Sequence, residues 1–122
     1  MLIRNLAGVM ATLALLGSPT TATAQDLAAE AIFKNGQELL DQCTAGDADS
    51  ISRCDWYIMG AWDAFGLLAD LDVTERYMCL AEGTSVDVLR ADVISYLRGS
   101  DTDLSKSAIS NVVNAIMGAH SC

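Results

Sequence analysis

The residues that could do chemistry in this chain are a single histidine, scattered carboxylates and four cysteines. His120 is the only base available for a Ser-His-Asp or Cys-His nucleophilic centre, and it lies close to the last residue, beside a cysteine that we expect to be oxidised. Asp55 and Asp63 could form a general acid–base pair, but two helical turns separate them. A solvated or partner-facing edge is the better interpretation of these carboxylates, and we expect no catalytic residues and no enzyme.

The sequence also lacks the spacings that bind metals or phosphates. The cysteines do not form the close C-x-x-C pairs of zinc or redox sites. Asp47-x-Asp49 and Asp101-x-Asp103 resemble the start of a calcium loop, but the later glycine and the glutamate at the twelfth position are missing. No glycine-rich phosphate loop or basic stripe occurs. We therefore expect no cofactor and no metal, and favour a protein that works by binding.

The charge balance narrows the choice of partner. Sixteen acidic residues against seven basic ones give a formal net charge of −9. Such a chain is a poor candidate for binding nucleic acid or an anionic membrane. The negative charge is compatible with binding a basic protein partner, and equally with a role in keeping the protein soluble.

The first 24 residues have the pattern of a cleaved secretory signal peptide. Arg4 supplies the positive region, residues 6–16 the apolar region, and Ala22-Thr23-Ala24 the cleavage site. The apolar run is shorter than the roughly 20 residues that span a bilayer. The alternative is an uncleaved N-terminal anchor. We expect residues 25–122 to form one periplasmic domain with no membrane attachment after cleavage.

All four cysteines follow the cleavage site, and an even number in a small exported domain predicts two disulfides. They are Cys43, Cys54, Cys79 and Cys122. Four cysteines allow three connectivities. We favour Cys43–Cys54, because a helical hairpin would bring the end of one helix to the first turn of the next, and this leaves Cys79–Cys122.

The stretch from Ser52 to Leu68 predicts a central helix that is apolar over most of its circumference and is therefore enclosed by other helices. Its main apolar stripe is Ile51, Cys54, Ile58, Ala61, Phe65 and Leu68. Gly60 interrupts it at a cost of about 1 kcal/mol relative to alanine. We expect a neighbouring backbone to cross close to Gly60.

The remaining periodicity predicts three further helices and no strands. The first is expected over about residues 26–43, with a possible break at Gly36. A capping box at residues 84–87 would start the third helix, and Gly99 would end it. The fourth would run from about Leu104 to Gly118. The fold class is all-α, a compact bundle of four to five short helices tied by two disulfides.

The order of the motifs resembles the Rap/Tai family of type VI secretion immunity proteins. The motifs are C-x-W-Y-I-x-G-x-x-D-A, then C-L-x-E-G-T-S, then V-x-x-Y-L, with cysteines before and after them. The residues that carry the resemblance, besides the cysteines, are Tyr57, Ile58, Gly60, Asp63, Ala64, Leu80, Gly83, Tyr96 and Leu97. The chain departs from the family where Ala81 replaces a common proline and where His120-Ser121 replaces a common Phe-Pro.

The resemblance implies a periplasmic, often dimeric protein that inhibits a peptidoglycan amidase toxin by occluding its active-site cleft. The partners would be the cognate effector and a second copy of the chain. Two loops are candidates for contacting the effector, although each could be an ordinary solvated loop: Asp70, Asp72, Glu75 and Arg76 in one, and Ser100, Asp101 and Asp103 in the other. The alternative function is a periplasmic helical chaperone or stress protein with no toxin partner.

Overall fold

A computed structural model of the protein describes residues 33–122, which fall in one compact unit. Its four helices are α1 (Gly36–Cys43), α2 (Ala48–Asp70), α3 (Val86–Leu97) and α4 (Ala108–Ala119). Within residues 33–122 no strand forms, and the predicted all-α bundle is confirmed. No helix in this range is long and apolar enough to cross a membrane. The predicted signal peptide and residues 26–32 of the predicted first helix lie outside the described residues.

Both predicted disulfides are present. Cys43–Cys54 joins the end of α1 to the first turns of α2, with a Cα–Cα distance of 5.1 Å. Cys79–Cys122 joins the connection between α2 and α3 to the tail after α4, with a Cα–Cα distance of 5.0 Å. The favoured connectivity of the three possible ones is therefore confirmed.

The start of α1 agrees with the expected break at Gly36: residues 33–35 are not helical, and the helix runs from Gly36 to Cys43. Gly36 is the first residue of α1, because Asn35 and Glu38 form a capping box in front of it. The Glu38 N–H donates to Asn35 Oδ1 at 2.9 Å, and the Asn35 N–H donates to Glu38 Oε2 at 2.8 Å. Two otherwise unpaired amides of the first turn are thus satisfied.

The other helix boundaries differ from the sequence expectations by a few residues for local reasons. Asp47 caps α2, because its carboxylate accepts from the Ser50 N–H at 2.8 Å. The capping box predicted at residues 84–87 does not form: Ser85 is the N-cap without a side-chain hydrogen bond. The Thr84 hydroxyl instead donates to the Ala81 carbonyl at 2.7 Å and closes the preceding turn.

The fourth helix begins at Ala108, four residues later than predicted, because the backbone of residues 104–107 pairs with α1. The Gly36 N–H donates to the Lys106 carbonyl at 3.0 Å, and the Gln37 N–H donates to the Leu104 carbonyl at 3.2 Å. The Leu104 and Lys106 carbonyls accept hydrogen bonds from α1. They therefore do not accept the hydrogen bonds that would extend α4 toward its N-terminus.

The core lies where the four helices meet. Its buried hydrophobic residues are Leu39, Cys43, Cys54, Ile58, Ala61, Met78, Leu89, Val93, Leu97, Ala108, Val112, Ala115 and Ile116. The only buried polar residue among residues 33–122 is Asn111, whose Nδ2 donates to the carbonyls of Asp103, Lys106 and Ser107 at 3.3–3.4 Å.

The expectation that the central helix is enclosed by other helices is wrong at Trp56, which is 70% exposed, and beyond Ala61. Cys54, Ile58 and Ala61 are buried, but Phe65 is only half-buried and Leu68 is 43% exposed. Beyond Ala61 the reason is length: α2 has 23 residues, whereas α3 and α4 have 12 each and α1 has 8. The last turns of α2 therefore extend past the helices that cover its middle.

The close backbone approach predicted at Gly60 occurs at Gly36 instead. Gly60 is exposed, and a Cβ there would have no neighbour within 4 Å. A Cβ at Gly36 would lie 2.5 Å from Asn111 Nδ2 and 3.1 Å from the Leu104 carbonyl oxygen. The glycine that the packing requires is therefore the one at the start of α1.

These two glycines give a matched prediction. Gly36→Ala should lower the free energy of unfolding by about 1–3 kcal/mol, because the new methyl group overpacks against the Leu104 backbone and the hydrogen-bonded Asn111. Gly60→Ala should raise it by about 1 kcal/mol, because it removes a helix-interior glycine without a clash. Urea unfolding followed by circular dichroism measures both, and a stabilising Gly36→Ala would contradict the packing described above.

Candidate partner-binding surface

The connection between α2 and α3 leaves α2 through a turn that folds back over the helix end. Asp72 has φ of +56°, in the left-handed region. Its N–H donates to the Ala69 carbonyl at 3.1 Å, and the Val73 N–H donates to the Leu68 carbonyl at 2.9 Å. This pair of bonds is a Schellman motif, in which the left-handed residue is usually glycine. The motif satisfies two end carbonyls of α2 and fixes the direction in which the chain leaves it.

The other end of this segment is held against the tail that follows α4. Met78 is 1% exposed and belongs to the core. The Cys79 N–H donates to the His120 carbonyl at 2.8 Å, and the Cys122 N–H donates to the Tyr77 carbonyl at 3.0 Å. With the Cys79–Cys122 disulfide, these contacts fix residues 70–77, which we call the acidic connection, at both ends.

The acidic connection combines carboxylates with exposed apolar side chains around a cleft of about 520 Å³. Leu71 is 62%, Val73 68% and Tyr77 45% exposed. The cleft is lined by Ala69, Asp72, Val73, Thr74, Glu75, Arg76 and Tyr77. The four residues predicted here from the sequence therefore lie together: Asp72, Glu75 and Arg76 line the cleft, and Asp70 lies beside it through its ion pair with Arg76.

The ion pair between Arg76 and Asp70 contributes little stability. Arg76 Nη2 lies 2.6 Å from Asp70 Oδ1, and the two side chains are 52% and 70% exposed. Water and salt screen a pair of this exposure, whose worth is typically below about 1 kcal/mol. The free energy needed to break this ion pair, so that a partner can bind either side chain, is therefore small.

The second predicted segment, around Ser100, Asp101 and Asp103, is a compact turn whose polar groups bond mainly to each other. The Thr102 hydroxyl donates to the Tyr96 carbonyl at 2.6 Å, which ties the turn to the end of α3. Asp103 Oδ1 accepts from both the hydroxyl and the N–H of Ser105. The Ser105 hydroxyl, followed by its N–H, lowers the pKa of Asp103. Among residues 33–122, no hydrogen bond or ion pair joins this turn to the acidic connection.

A groove of different character runs between α2 and α4. Its volume is about 430 Å³, and it has no charged residue in its lining: Ala61, Ala64, Phe65, Leu68, Ile109, Ser110, Val113 and Asn114. Leu68 and Ile109 are 43% and 41% exposed. The apolar stripe of the central helix had assigned Leu68 to the core, because helical periodicity does not show that a helix is longer than the helices packed on it.

A model of the Rap1a immunity protein family matches residues 35–122. The chain belongs to the Rap1a immunity protein family. No curated protein and no solved structure matches the chain. The family match supports a role as a type VI secretion immunity protein that binds a toxin effector. The two disulfides and the family together fit an exported periplasmic protein.

The motif residues of this Rap1a chain serve mainly to build the bundle. Ile58 and Leu97 are buried, whereas Tyr57, Ala64, Leu80 and Tyr96 are partly buried. Lys34 Nζ lies 5.3 Å from the ring centroid of Tyr57, and burial raises the pKa of the Tyr57 hydroxyl. The exposed motif residues are Gly60, Asp63 and Gly83, of which Gly83 takes φ of +81° in the turn before α3.

The groups considered for chemistry are engaged in structural pairs. Arg90 Nη1 lies 2.6 Å from both carboxylate oxygens of Asp55, so Asp55 is neither solvated nor part of a pair with the exposed Asp63. His120 Nε2 lies 2.8 Å from Asp92 Oδ2 and ties the tail to α3. All four cysteines are in disulfides, so no thiol is free to act as a nucleophile.

The left-handed conformation at Asp72 gives a stability prediction. Asp72→Gly should raise the free energy of unfolding by about 0.5–1 kcal/mol, because glycine adopts this conformation without strain. Asp72→Val should lower it by about 1–2 kcal/mol, because a β-branched residue is strained there. Asp72→Asn is the control, since asparagine tolerates the same conformation without the charge. Equal melting midpoints for the glycine and valine variants would contradict the Schellman turn.

Proposed function

We propose that this protein inhibits a peptidoglycan amidase toxin of a type VI secretion system by binding over its active-site cleft through the acidic connection. The match to the Rap1a family over residues 35–122 carries the proposal. The fold adds a segment that combines exposed apolar and acidic side chains and is fixed at both ends.

Preorganisation supports this choice of segment. A loop that must become ordered on binding loses conformational entropy, and that loss subtracts from affinity. The Schellman turn at Asp72, the buried Met78 and the Cys79–Cys122 disulfide hold the acidic connection before any partner arrives. The exposed Leu71 and Val73 supply apolar area that a cleft can bury.

Charge supports the same choice. The chain has a formal net charge of −9, and the three carboxylates of Asp70, Asp72 and Glu75 lie in the acidic connection. Complementary charge accelerates association and suppresses wrong partners. We infer that the effector presents a basic rim around its cleft.

The turn at residues 99–103 is the weaker candidate. Its Asp103 carboxylate is already bonded to Ser105, and its Thr102 hydroxyl to Tyr96. Binding a partner through these groups would require breaking local bonds that the turn uses.

We also propose that two copies of the chain pair through the groove between α2 and α4. Two chains of the same net charge repel each other. The electrostatic repulsion is smallest when they pack through a surface without charged residues. The groove lining contains no ionisable residue and two exposed aliphatic side chains, Leu68 and Ile109. The acidic connection is then left to the effector.

Export is the remaining part of the proposal. Residues 1–24 act as a cleaved signal peptide, and residues 25–122 form the periplasmic domain. The Cys43–Cys54 and Cys79–Cys122 bonds support this, because disulfides persist in oxidising compartments.

A periplasmic chaperone is the second candidate function, and the exposed apolar groove is the observation that favours it. The two functions differ in stoichiometry. A chaperone binds many clients weakly, whereas an immunity protein binds one effector tightly.

The function is tested with oxidised protein lacking residues 1–24, immobilised and exposed to the secreted proteins of the producing organism. Mass spectrometry should identify one stoichiometric partner, and that partner, once purified, should cleave peptidoglycan amide bonds. Adding one equivalent of the immunity protein should abolish this activity. A diffuse set of clients, or a captured amidase that stays fully active in the complex, would contradict the proposal.

The choice of segment is tested by matched charge reversals. Glu75→Lys should weaken effector binding by about tenfold or more, because it places a cation against a basic partner surface. Asp101→Lys, an equal reversal on an exposed residue of the other turn, should change affinity by less than about twofold. Isothermal titration calorimetry measures both, and the reverse order of effects would move the binding site to residues 99–103.

The pairing surface is tested in the absence of effector. The unmodified protein should sediment as a dimer, and Leu68→Glu or Ile109→Glu should give a monomer, because each buries a charge in the uncharged groove. Leu71→Glu is the control: Leu71 is 62% exposed and lies outside the groove lining. A monomeric unmodified protein, or dimers of all three variants, would contradict pairing through the groove.

A further inference from the structure

The two disulfides differ sharply in their surroundings. Cys43 is 3% and Cys54 0% exposed, and both belong to the hydrophobic core. Cys79 and Cys122 are both exposed residues. Since a thiolate must reach a disulfide sulfur to attack it, access decides which of the two bonds reacts first.

We propose that Cys79–Cys122 is a redox switch: a dithiol reductant opens this bond selectively and thereby loosens the acidic connection while the helical bundle stays folded. A protein of the thioredoxin-like dithiol class is the reductant of the matching chemistry. Cys43–Cys54 remains oxidised because its surroundings exclude the attacking thiolate.

The exchange proceeds in two balanced steps. A thiolate of the reductant attacks one sulfur of the Cys79–Cys122 bond, which breaks as a mixed disulfide forms and the other cysteine leaves as a thiolate. The second thiolate of the reductant then displaces the remaining cysteine and closes its own disulfide. Two electrons pass to the protein, two protons give Cys79 and Cys122 as thiols, and the reductant leaves oxidised.

The contacts at this bond explain why its loss acts locally. The disulfide joins two segments that otherwise share two backbone hydrogen bonds, Cys79 N–H to the His120 carbonyl and Cys122 N–H to the Tyr77 carbonyl. His120 is held separately by Asp92, so the tail keeps one attachment to α3 up to that residue. Ser121 and Cys122 lie beyond this attachment, and the Cys122–Tyr77 bond is the contact that depends most on the disulfide. Its release frees the end of the acidic connection at Arg76 and Tyr77.

The helices keep their other cross-links when this bond opens, although the folded bundle loses the stability that the bond contributes. The interface of α1 with α2 retains the Cys43–Cys54 disulfide and the buried Leu39 and Ile58. Asp55 and Arg90 continue to tie α2 to α3. If the proposed function is correct, reduction weakens effector binding, because the segment must then pay the entropy of ordering when it binds.

The order of reduction is tested on the oxidised protein with dithiothreitol as the probe. Aliquots are quenched with iodoacetamide and the alkylated cysteines are mapped by mass spectrometry. Cys79 and Cys122 should be labelled at least about tenfold faster than Cys43 and Cys54, giving an intermediate with one disulfide and unchanged helical circular dichroism. Simultaneous labelling of all four cysteines, or earlier labelling of Cys43 and Cys54, would overturn the proposal.

The release of the acidic connection is tested by trypsin, which can cleave after the exposed Arg76. In the intermediate, cleavage after Arg76 should accelerate at least about tenfold more than cleavage after the helical Arg53 and Arg90, which rises only with the loss of global stability. Cys79→Ser/Cys122→Ser should behave like the intermediate without any reductant. Unchanged cleavage after Arg76 in both would overturn the switch.

A matched control separates this mechanism from general destabilisation. Cys43→Ala/Cys54→Ala removes the other disulfide and should accelerate cleavage after Arg76, Arg53 and Arg90 by the same factor, within about twofold, because it lowers only global stability. Cleavage that accelerates preferentially after Arg76 in this control too would show that release of the segment does not depend on Cys79–Cys122 in particular, and would overturn the switch. None of these measurements uses the effector, so their failure is distinct from failure of the immunity function.

Discussion

The Cys79–Cys122 disulfide is the constraint on which the candidate partner surface depends. It spans a sequence separation of 43 residues, against 11 for Cys43–Cys54. In the chain-entropy model, bonds of these spans stabilise by about 4 and about 3 kcal/mol. For a small domain with a modest core these are large contributions. The Cys79–Cys122 bond also holds the acidic connection, which forms no helix or strand after Asp70, in one conformation.

The acidic connection and the groove between α2 and α4 share a structural origin. Because α2 is longer than the helices that pack on it, its last turns emerge from the bundle. One side of that emerging end, facing α4, becomes the uncharged groove that contains Leu68. The turn at Asp72 that ends the helix begins the acidic connection. The excess length of α2 thus gives the protein two surfaces of different character, one without charged residues and one acidic.

The fold could be predicted from the sequence because helical periodicity and cysteine spacing depend on residues that are close together in the chain. Helical periodicity identified all four helices of the described region, and the cysteine spacing favoured the connectivity that the structure shows. The errors arose where a nonlocal contact decided the outcome. A glycine inside a helix, such as Gly60, predicted close packing there. The structure instead requires a glycine at position 36, where α1 pairs with residues 104–106.

The position of the candidate site in the chain could be predicted from the sequence, but its backbone conformation could not. Its acidic composition marked residues 70–76 as a surface segment. Composition gave no sign that Asp72 adopts the left-handed conformation, because a helix C-terminus of this kind is normally marked by glycine. The groove was missed for a different reason: Leu68 and Ile109 continue the apolar stripes of their helices, and only the relative lengths of the packed helices expose them.

The central claim, that the acidic connection is the segment that binds the toxin, is tested most directly by hydrogen exchange of the oxidised protein with and without its captured effector. We predict that amides of residues 71–79 exchange more slowly in the complex and that those of residues 99–105 are unchanged. Protection confined to residues 99–105, with residues 71–79 exchanging as in the free protein, would contradict this account of how the protein works.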